Sequence, residues 1–372
     1  MEARGLAGGV VFGLLLFFTS FFGSIFLLAP LLPITFIHPK WCRRLMDTMI
    51  FLWKLYAVAL YENLYHVKVV ITGHPIPSHQ DGSALIVMNH RTRMDWMFLF
   101  SYQVRYGSLS RYIISLKEIL KQVPGGGWAM QCSSFIFLNR RWEKDRAAID
   151  RGLDYFSRLN FRPQILLFPE GTDLTPDTCA RSKIFAEKNQ LPVYQYVLHP
   201  RTTGFVHFVQ RMKEAKMLDS VLDITIAYPK SCAQNEGDIL IGKFPEEIHF
   251  DVKQYMPSEL PCESQDLRDW CCARWSDKDK WLQDYYQKQH FYDADQGNNN
   301  DNVNENITQI LFYFAMIFWT LFEVFVVYIL VLSPVVRWYC VTCSILFVVL
   351  GKKWGIECLL AESVKISSDI FK

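Results

Sequence analysis

The sequence predicts an α/β protein, a central and mostly parallel sheet flanked by helices, fastened to a bilayer by helices at both ends of the chain. Three observations carry that expectation. Short, continuously apolar runs such as Ala84–Met88 and Gln164–Leu167 alternate with helical stretches, the pattern of strands covered on both faces. Residues 8–37 contain no charged side chain, and about 20 apolar residues suffice for a helix to cross a membrane. A second apolar block fills 310–350, broken in its interior only by Glu323 and Arg337.

Taken in order, residues 1–40 read as an N-terminal anchor. A cleaved signal peptide has an apolar region of about 7–15 residues, shorter than this one. Pro30 and Pro33 break a helix near residue 29, which allows one span or a re-entrant hairpin. Lys40, Arg43 and Arg44 follow at once, and clustered positive charge favours the cytosolic side. Residues 41–66 are apolar but carry Asp47, Lys54 and Glu62, as expected of an interfacial amphipathic helix or a second membrane helix.

Residues 67–290 form the expected catalytic-sized unit. Strands are expected over 67–73, 84–89, 134–139, 164–169, 193–200 and 221–229, with helices over 94–104 and 142–159. Residues 247–255 alternate as a half-exposed strand does, and 265–290 read as a charged amphipathic helix with aromatic anchors. The stretch 291–308, nearly without apolar residues, reads as a polar linker. A membrane hairpin over 309–352, capped by Lys352 and Lys353, and a tail over 353–372 complete the chain.

Composition excludes some functions. A net charge of +2 gives no footing for wrapping nucleic acid. The ten cysteines lack the spacing of a disulfide-stapled domain and read as reduced, cytosol-facing thiols. Cys340 and Cys343 form a C-x-x-C inside an apolar stretch, where packing in lipid explains them. No metal-ligand set with recognised spacing occurs.

Directly behind the apolar run 84–88 stands Asn89-His90-Arg91-Thr92-Arg93-Met94-Asp95. One reading is a helix start, with Thr92 as cap and Asp95 three residues later. The other makes His90 a general base. Five residues apart on one helix, His90 and Asp95 would diverge by about 140°, so a loop is required to join them. A carboxylate on one imidazole nitrogen fixes the tautomer and supports the positive charge that develops when the other takes a proton.

Phe168-Pro169-Glu170-Gly171-Thr172 also follows an apolar strand, where α/β sheets place ligands. Gly171 permits close backbone approach to an anion. Phe137-Leu138-Asn139-Arg140 ends a third strand with an arginine suited to phosphate.

These segments, together with Val197-Leu198-His199-Pro200, resemble in order and spacing the four blocks of the glycerolipid (1-acylglycerol-3-phosphate) acyltransferase family over roughly residues 80–255. The wording of MNHRTRMDWMF, FPEGTDLT, FAEKN, YVLHPRTTGF and FPEEIHF is similar to its lysocardiolipin acyltransferase branch. The resemblance implies an acyl-CoA:lysophospholipid O-acyltransferase in which His90 is the catalytic base and Asp95 its partner. It also implies that Arg140, Glu170, Gly171 and Thr172 bind the phosphoglycerol part of the acceptor, with Lys117 near the acceptor phosphate.

The implied acceptors are lysocardiolipin, lysophosphatidylinositol, lysophosphatidylglycerol or lysophosphatidic acid. Acyl-CoA serves as co-substrate, and neither a resident cofactor nor a metal is required. The implied setting is the endoplasmic reticulum membrane, multi-pass, with the catalytic unit facing the cytosol and the lipid bilayer as partner.

Two positions depart from the family pattern. Asp173 stands where many relatives have arginine, leaving Arg181 or Arg201 as substitutes, and Ser134 stands where they have glycine. Trp96, Phe98, Phe100 and Trp128 read equally as a lipid-facing route and as core. Two alternatives are a CoA-independent transacylase using the same His/Asp pair and a non-catalytic lipid-binding membrane tether.

Overall fold

The computed structural model describes residues 5–73, 82–291 and 304–370, the last four without their side chains. The chain divides into two compact units: residues 1–9, 61–108 and 164–304, and residues 10–60, 109–163 and 305–372. Its strands are β1 (Lys68–Thr72), β2 (Ala84–Met88), β3 (Tyr112–Lys117), β4 (Ile136–Leu138), β5 (Gln164–Leu167), β6 (Ser220–Ala227) and β7 (Glu247–Tyr255).

Among the described residues, the first unit holds five strands in the order β1-β7-β6-β2-β5. Its sheet is parallel between β1 and β7, β6 and β2, and β2 and β5, and antiparallel only between β6 and β7. Every residue of β2, β5 and β6 is buried, which is why β2 reads as an unbroken apolar run, although β5 opens on Gln164 and β6 carries Ser220, Asp223 and Thr225. Leu85, Ile86, Val87 and Met88 are each 0% exposed, a gross gain of about 1.5–3 kcal/mol per side chain. Because β2 lies parallel to both β5 and β6, the segments leaving the three strands gather at one edge of the sheet. That edge is where an open α/β sheet presents its ligand-binding residues.

Three expectations for this unit need correction. The helix expected over 94–104 is divided at Leu99 into Asp95–Phe98 and Phe100–Arg105. Residues 193–200 form no strand. Their amides bond to side chains instead of a neighbouring strand: Gln195 N and Tyr196 N donate to Asp279 Oδ1 at 2.9 and 2.7 Å, and Leu198 N donates to a Glu170 oxygen at 3.2 Å. β7 is not half-exposed, since Ile248–Val252 are buried in a row between β1 and β6. Of the two readings given to Phe98 and Phe100, the core is the one observed, at 0% and 1% exposure. The expected helix near 265–290 is present as Ser264–Lys288.

The second unit contains the parallel pair β3 and β4. β3 escaped the sequence reading, although four of its six residues are buried. The anchor is α-helical over Leu6–Gly23, widens to a π turn over Ser24–Leu28 and tightens to a 3-10 helix over Ala29–Phe36. The change falls where Pro30 and Pro33 remove backbone donors.

In the helix Pro39–Ala59, Lys40 and Arg44 are exposed, whereas Arg43 and Lys54 are buried and Asp47 is half-buried. Arg43 pairs with Asp47 at 2.7 Å and donates to Ser133 O at 2.9 Å, and Lys54 donates to Leu109 O and Tyr112 O at 3.0 and 2.8 Å. Trp128, the fourth aromatic of the proposed route, is 3% exposed and stacks on Phe347 at 4.8 Å.

Helices Glu305–Leu332 and Pro334–Lys353 form the two halves of the C-terminal hairpin. The expected linker lies largely outside the described residues, and the first of these helices begins four residues before the expected boundary. What reads as a tail is a further helix, Ile356–Ile370. Among the described residues, three segments are long and apolar enough to cross a membrane, Leu6–Phe36, Glu305–Leu332 and Pro334–Lys353, so the chain is read as a membrane protein.

Candidate active site

The chain leaving β2 is pinned before it turns. Asn89 continues the ladder with its side chain, Nδ2 donating to Ile226 O at 3.1 Å and Oδ1 accepting from Ile226 N at 2.8 Å. His90 is then held through its backbone: its N–H donates to Glu170 Oε1 at 3.1 Å and its carbonyl accepts from Leu174 N at 2.8 Å. Both bonds tie the exit of β2 to the exit of β5.

The loop over 91–94 brings Asp95 back under the imidazole, with His90 Nδ1 3.1 Å from Asp95 Oδ2. Asp95 is 0% exposed, and its carboxylate meets four donors. Oδ2 also accepts from Thr92 N at 2.9 Å, while Oδ1 accepts from Thr92 Oγ1 at 2.9 Å and Tyr228 Oη at 2.7 Å. The helix-start reading and the histidine-partner reading are therefore both satisfied by one carboxylate, which closes the turn and orients the ring. Burial, and after it the neighbouring Asp95, push the Tyr228 phenol well above its usual range, so it stays a donor.

The His90 ring stacks on Phe168, centroids 3.9 Å apart and planes at 17°. Its side chain is 15% exposed, and Nε2 has no hydrogen-bond partner among the described residues. One nitrogen is thus committed to Asp95, and the other is left for a reacting group.

Glu170 is buried at 3% exposure. Oε1 accepts from His90 N and from Trp275 Nε1, both at 3.1 Å, and Oε2 accepts from Leu198 N at 3.2 Å. Both oxygens therefore already serve protein donors. Burial pushes this carboxyl up to about 7, against the pull of Trp275 and of His90. Gly171 has φ +71, the left-handed region that a side chain disfavours, and Thr172 follows with its hydroxyl 3.4 Å from Asp173 Oδ1.

Asp173, the departure from the family pattern, is buried at 6% exposure. It accepts from Gln234 Nε2 at 3.2 Å and lies 3.8 Å from Arg93 Nε. Gln234 ties three segments together, since its Nε2 also reaches Arg91 O and Leu174 O and its Oε1 accepts from Arg91 Nη1 at 2.9 Å.

Of the two arginines offered as substitutes, Arg181 turns to its own helix, Nε donating to Asp177 O at 3.3 Å. Arg201 is exposed, and its Cδ is 3.5 Å from where a Cβ on Gly171 would stand. Its backbone is fixed by a 2.7 Å bond from its N–H to Pro169 O. The guanidinium has no hydrogen-bond or ion-pair partner among the described residues.

The first unit therefore brings His90, Asp95, Glu170, Gly171 and Thr172 to one sheet edge. Arg140 and Lys117 lie in the second unit. Arg140 follows β4 by two residues and has φ +63, a conformation costly for a residue with a side chain. Lys117 closes β3 and is exposed.

The sequence reading missed Tyr228, Gln234 and Trp275. Tyr228 stands directly after an apolar strand, as His90 does, and that shared position is the signal for it. Trp275 belongs to an aromatic stripe on the helix Ser264–Lys288 that resembles any packing face.

Residues 66–229 match the family described as acyltransferase, and residues 238–319 match the acyltransferase C-terminus. Lysocardiolipin acyltransferase 1 of Mus musculus is 43% identical over 93% of this chain and 92% of its own length. Lysophosphatidylinositol acyltransferase 10 of Caenorhabditis elegans is 41% identical over 76% of this chain and 72% of its own. The crystal structure of the 1-acyl-sn-glycerophosphate acyltransferase of Thermotoga maritima matches with a TM-score of 0.47 and 16% identity, over 74% of this chain and 95% of that one.

Proposed function

This chain belongs to the acyltransferase family and is an enzyme that transfers acyl groups, and from that premise we propose that it acylates the free hydroxyl of a lysophospholipid with acyl-CoA as donor. The observation that carries the reading is the His90 ring, held at Nδ1 by a buried carboxylate while Nε2 has no hydrogen-bond partner among the described residues.

In the proposed reaction, Nε2 takes the proton of the glycerol hydroxyl as that oxygen attacks the thioester carbonyl. The tetrahedral intermediate collapses, the C–S bond breaks, and the thiolate leaves to become free coenzyme A by recovering the proton from the imidazolium. Asp95 supports the transient positive charge. Held beside the base, the acceptor alcohol attacks directly, so no acyl-enzyme is formed.

Acceptor binding is assigned to the phosphate-facing groups. Arg201 supplies the charge that Asp173 does not, and Gly171 and Thr172 offer a close backbone and a hydroxyl; the family resemblance adds Arg140 and Lys117 as acceptor-binding groups. Glu170 acts through position, holding the backbone of His90 and of Leu198. The names of the relatives support lysocardiolipin or lysophosphatidylinositol as acceptors, with lysophosphatidylglycerol and lysophosphatidic acid as further candidates. No bound cofactor or metal is required. The setting proposed is the endoplasmic reticulum membrane, with the catalytic unit toward the cytosol and the apolar helices in the bilayer that delivers the acceptor.

The test is a panel of lysophospholipids and acyl-CoAs offered to the purified protein in micelles, with products read by mass spectrometry. Diacyl product with acyl-CoA as sole donor supports the reading. Product formed only when a second phospholipid is present would replace it with transacylation, and no product from any pair would favour a lipid-binding tether.

A further inference from the structure

The foot of the N-terminal anchor is built into the first unit, where backbone meets backbone. Gly9 lies so close to the turn that ends the short helix Glu236–Leu240 that a Cβ there would run into Ile239 O, Leu240 O and Gly242 N. Gly242, with φ +83, would meet the backbone of Gly5 in the same way, so a side chain at either position would force the two segments apart. Beside this contact Tyr65 Oη donates to Gly8 O at 2.6 Å, and the Tyr65 ring stacks on Phe244, centroids 4.1 Å apart.

The anchor turns apolar at once. Leu6 is 65% exposed and opens the segment Leu6–Phe36, long and apolar enough to cross a membrane. The turn held against its foot points two apolar side chains outward, Leu240 at 43% and Ile241 at 47% exposure, while Ile239 and Phe244 on either side are buried. Lys243 follows, its side chain 67% exposed and its ammonium 3.8 Å from Asp238. An exposed apolar pair followed by a lysine has the composition of an interfacial contact. The apolar side chains enter the boundary between headgroups and acyl chains, and the ammonium stays with the phosphates.

We propose that Leu240 and Ile241 insert into the interfacial layer of the phospholipid bilayer at the foot of the anchor, with Lys243 among the lipid phosphates. The occupant follows from continuity, because the backbone contact with Gly5 and Gly9 sets this turn at the level where the anchor begins. The anchor also supplies a high effective concentration of lipid, so two side chains suffice for a lasting contact. Gln234 N donates to Asp238 Oδ2 at 2.9 Å, and Gln234 Nε2 reaches Arg91 O and Leu174 O. One side chain thus joins the inserted turn to the His90 edge. In the reaction proposed above, on which this consequence alone rests, the depth of the turn sets the level at which the acceptor meets the base.

The full chain is placed in nanodiscs of phosphatidylcholine and phosphatidylglycerol that carry a trace of phosphatidylcholine with a diazirine at the upper end of its acyl chain. Wild type and Leu240→Gln/Ile241→Gln are irradiated, and labelled peptides are mapped by mass spectrometry. Label within residues 239–243 is expected in wild type and should fall at least fivefold in the double variant. Label in residues 305–353 should stay unchanged, which reports that both proteins are inserted. Both changes are at exposed positions and glutamine retains helix propensity, so the thermal midpoint should hold. The label reads membrane contact whether or not acyl transfer is detected, so this inference and the proposed reaction fail separately. Absence of label from 239–243 with label present in 305–353 overturns the proposal, as does equal labelling of the double variant. An amine cross-linker that joins Lys243 of two copies in liposomes would assign the pair to self-association and likewise overturn it.

Discussion

Asp95→Asn separates the charge of the His90 partner from its shape. The carboxylate is fully buried and divides its four bonds evenly, two N–H donors on Oδ2 and two hydroxyls on Oδ1. An asparagine with its oxygen at the Oδ2 position keeps His90 Nδ1 and Thr92 N as donors. Its NH2 then faces Thr92 Oγ1 and Tyr228 Oη, and hydroxyls can rotate to accept. Fold and tautomer should persist while the charge is lost.

With charge centres about 4 Å apart and an effective dielectric near 20, the carboxylate stabilises an imidazolium by about 4 kcal/mol, or about a thousandfold in rate. Initial rates at saturating donor and acceptor should therefore fall by about two to three orders of magnitude, with the thermal midpoint within a few degrees of wild type. Asp95→Ala, in contrast, strands three buried donors besides the histidine at about 1–3 kcal/mol each, so it should lose stability as well as rate. Turnover of Asp95→Asn within tenfold of wild type at an unchanged midpoint would refute the reasoning.

Three further changes address neighbouring parts of the site. Arg201→Gln removes a guanidinium with no protein partner, so the acceptor KM should rise about tenfold or more, the scale of one charge-assisted hydrogen bond, with kcat nearly unchanged; a loss confined to kcat would remove Arg201 from acceptor binding. Trp275→Phe leaves Glu170 one donor short and should cost roughly 1.5–3 kcal/mol of unfolding free energy, measured by denaturant titration, and an unchanged stability would contradict the bracket described for Glu170. Burial holds the Glu170 carboxyl at about 7 instead of its usual 4.5, so the folded state binds its proton more tightly than the unfolded one. That contribution to stability is complete below about pH 4.5 and is lost as the pH rises through about 7. Glu170→Gln should flatten stability against pH over that window, and superimposable slopes would argue against the shift.

Much of this was legible in local pattern. β2 and β5 announce themselves because strands buried on both faces have little polar side to show, and a histidine or a Glu-Gly pair beyond their ends stands out against five or three apolar residues. What escaped was set by contacts distant in sequence. Residues 193–200 have the composition of a strand, yet Asp279 and Glu170 claim the amides that a ladder would need. The polar positions of β7 suggest a solvent face, but His249 and Asp251 are buried, His249 accepting from or donating to Tyr285 Oη at 3.0 Å.

Nothing local in the helix Pro39–Ala59 reveals that Arg43 meets Ser133 or that Lys54 meets Leu109 and Tyr112. Glu170 is the sharpest instance. Its place in an E-G-T turn points to a ligand, while its environment consists of two backbone amides and an indole from a helix a hundred residues away.

The most direct test of the central claim is the turnover of purified His90→Ala with acyl-CoA and a lysophospholipid, beside a thermal melt of the same preparation. The account requires a fall of at least about a thousandfold at near-native stability, since Nε2 is the only proton acceptor assigned to the hydroxyl. Acyl transfer at the wild-type rate in a folded variant would contradict it.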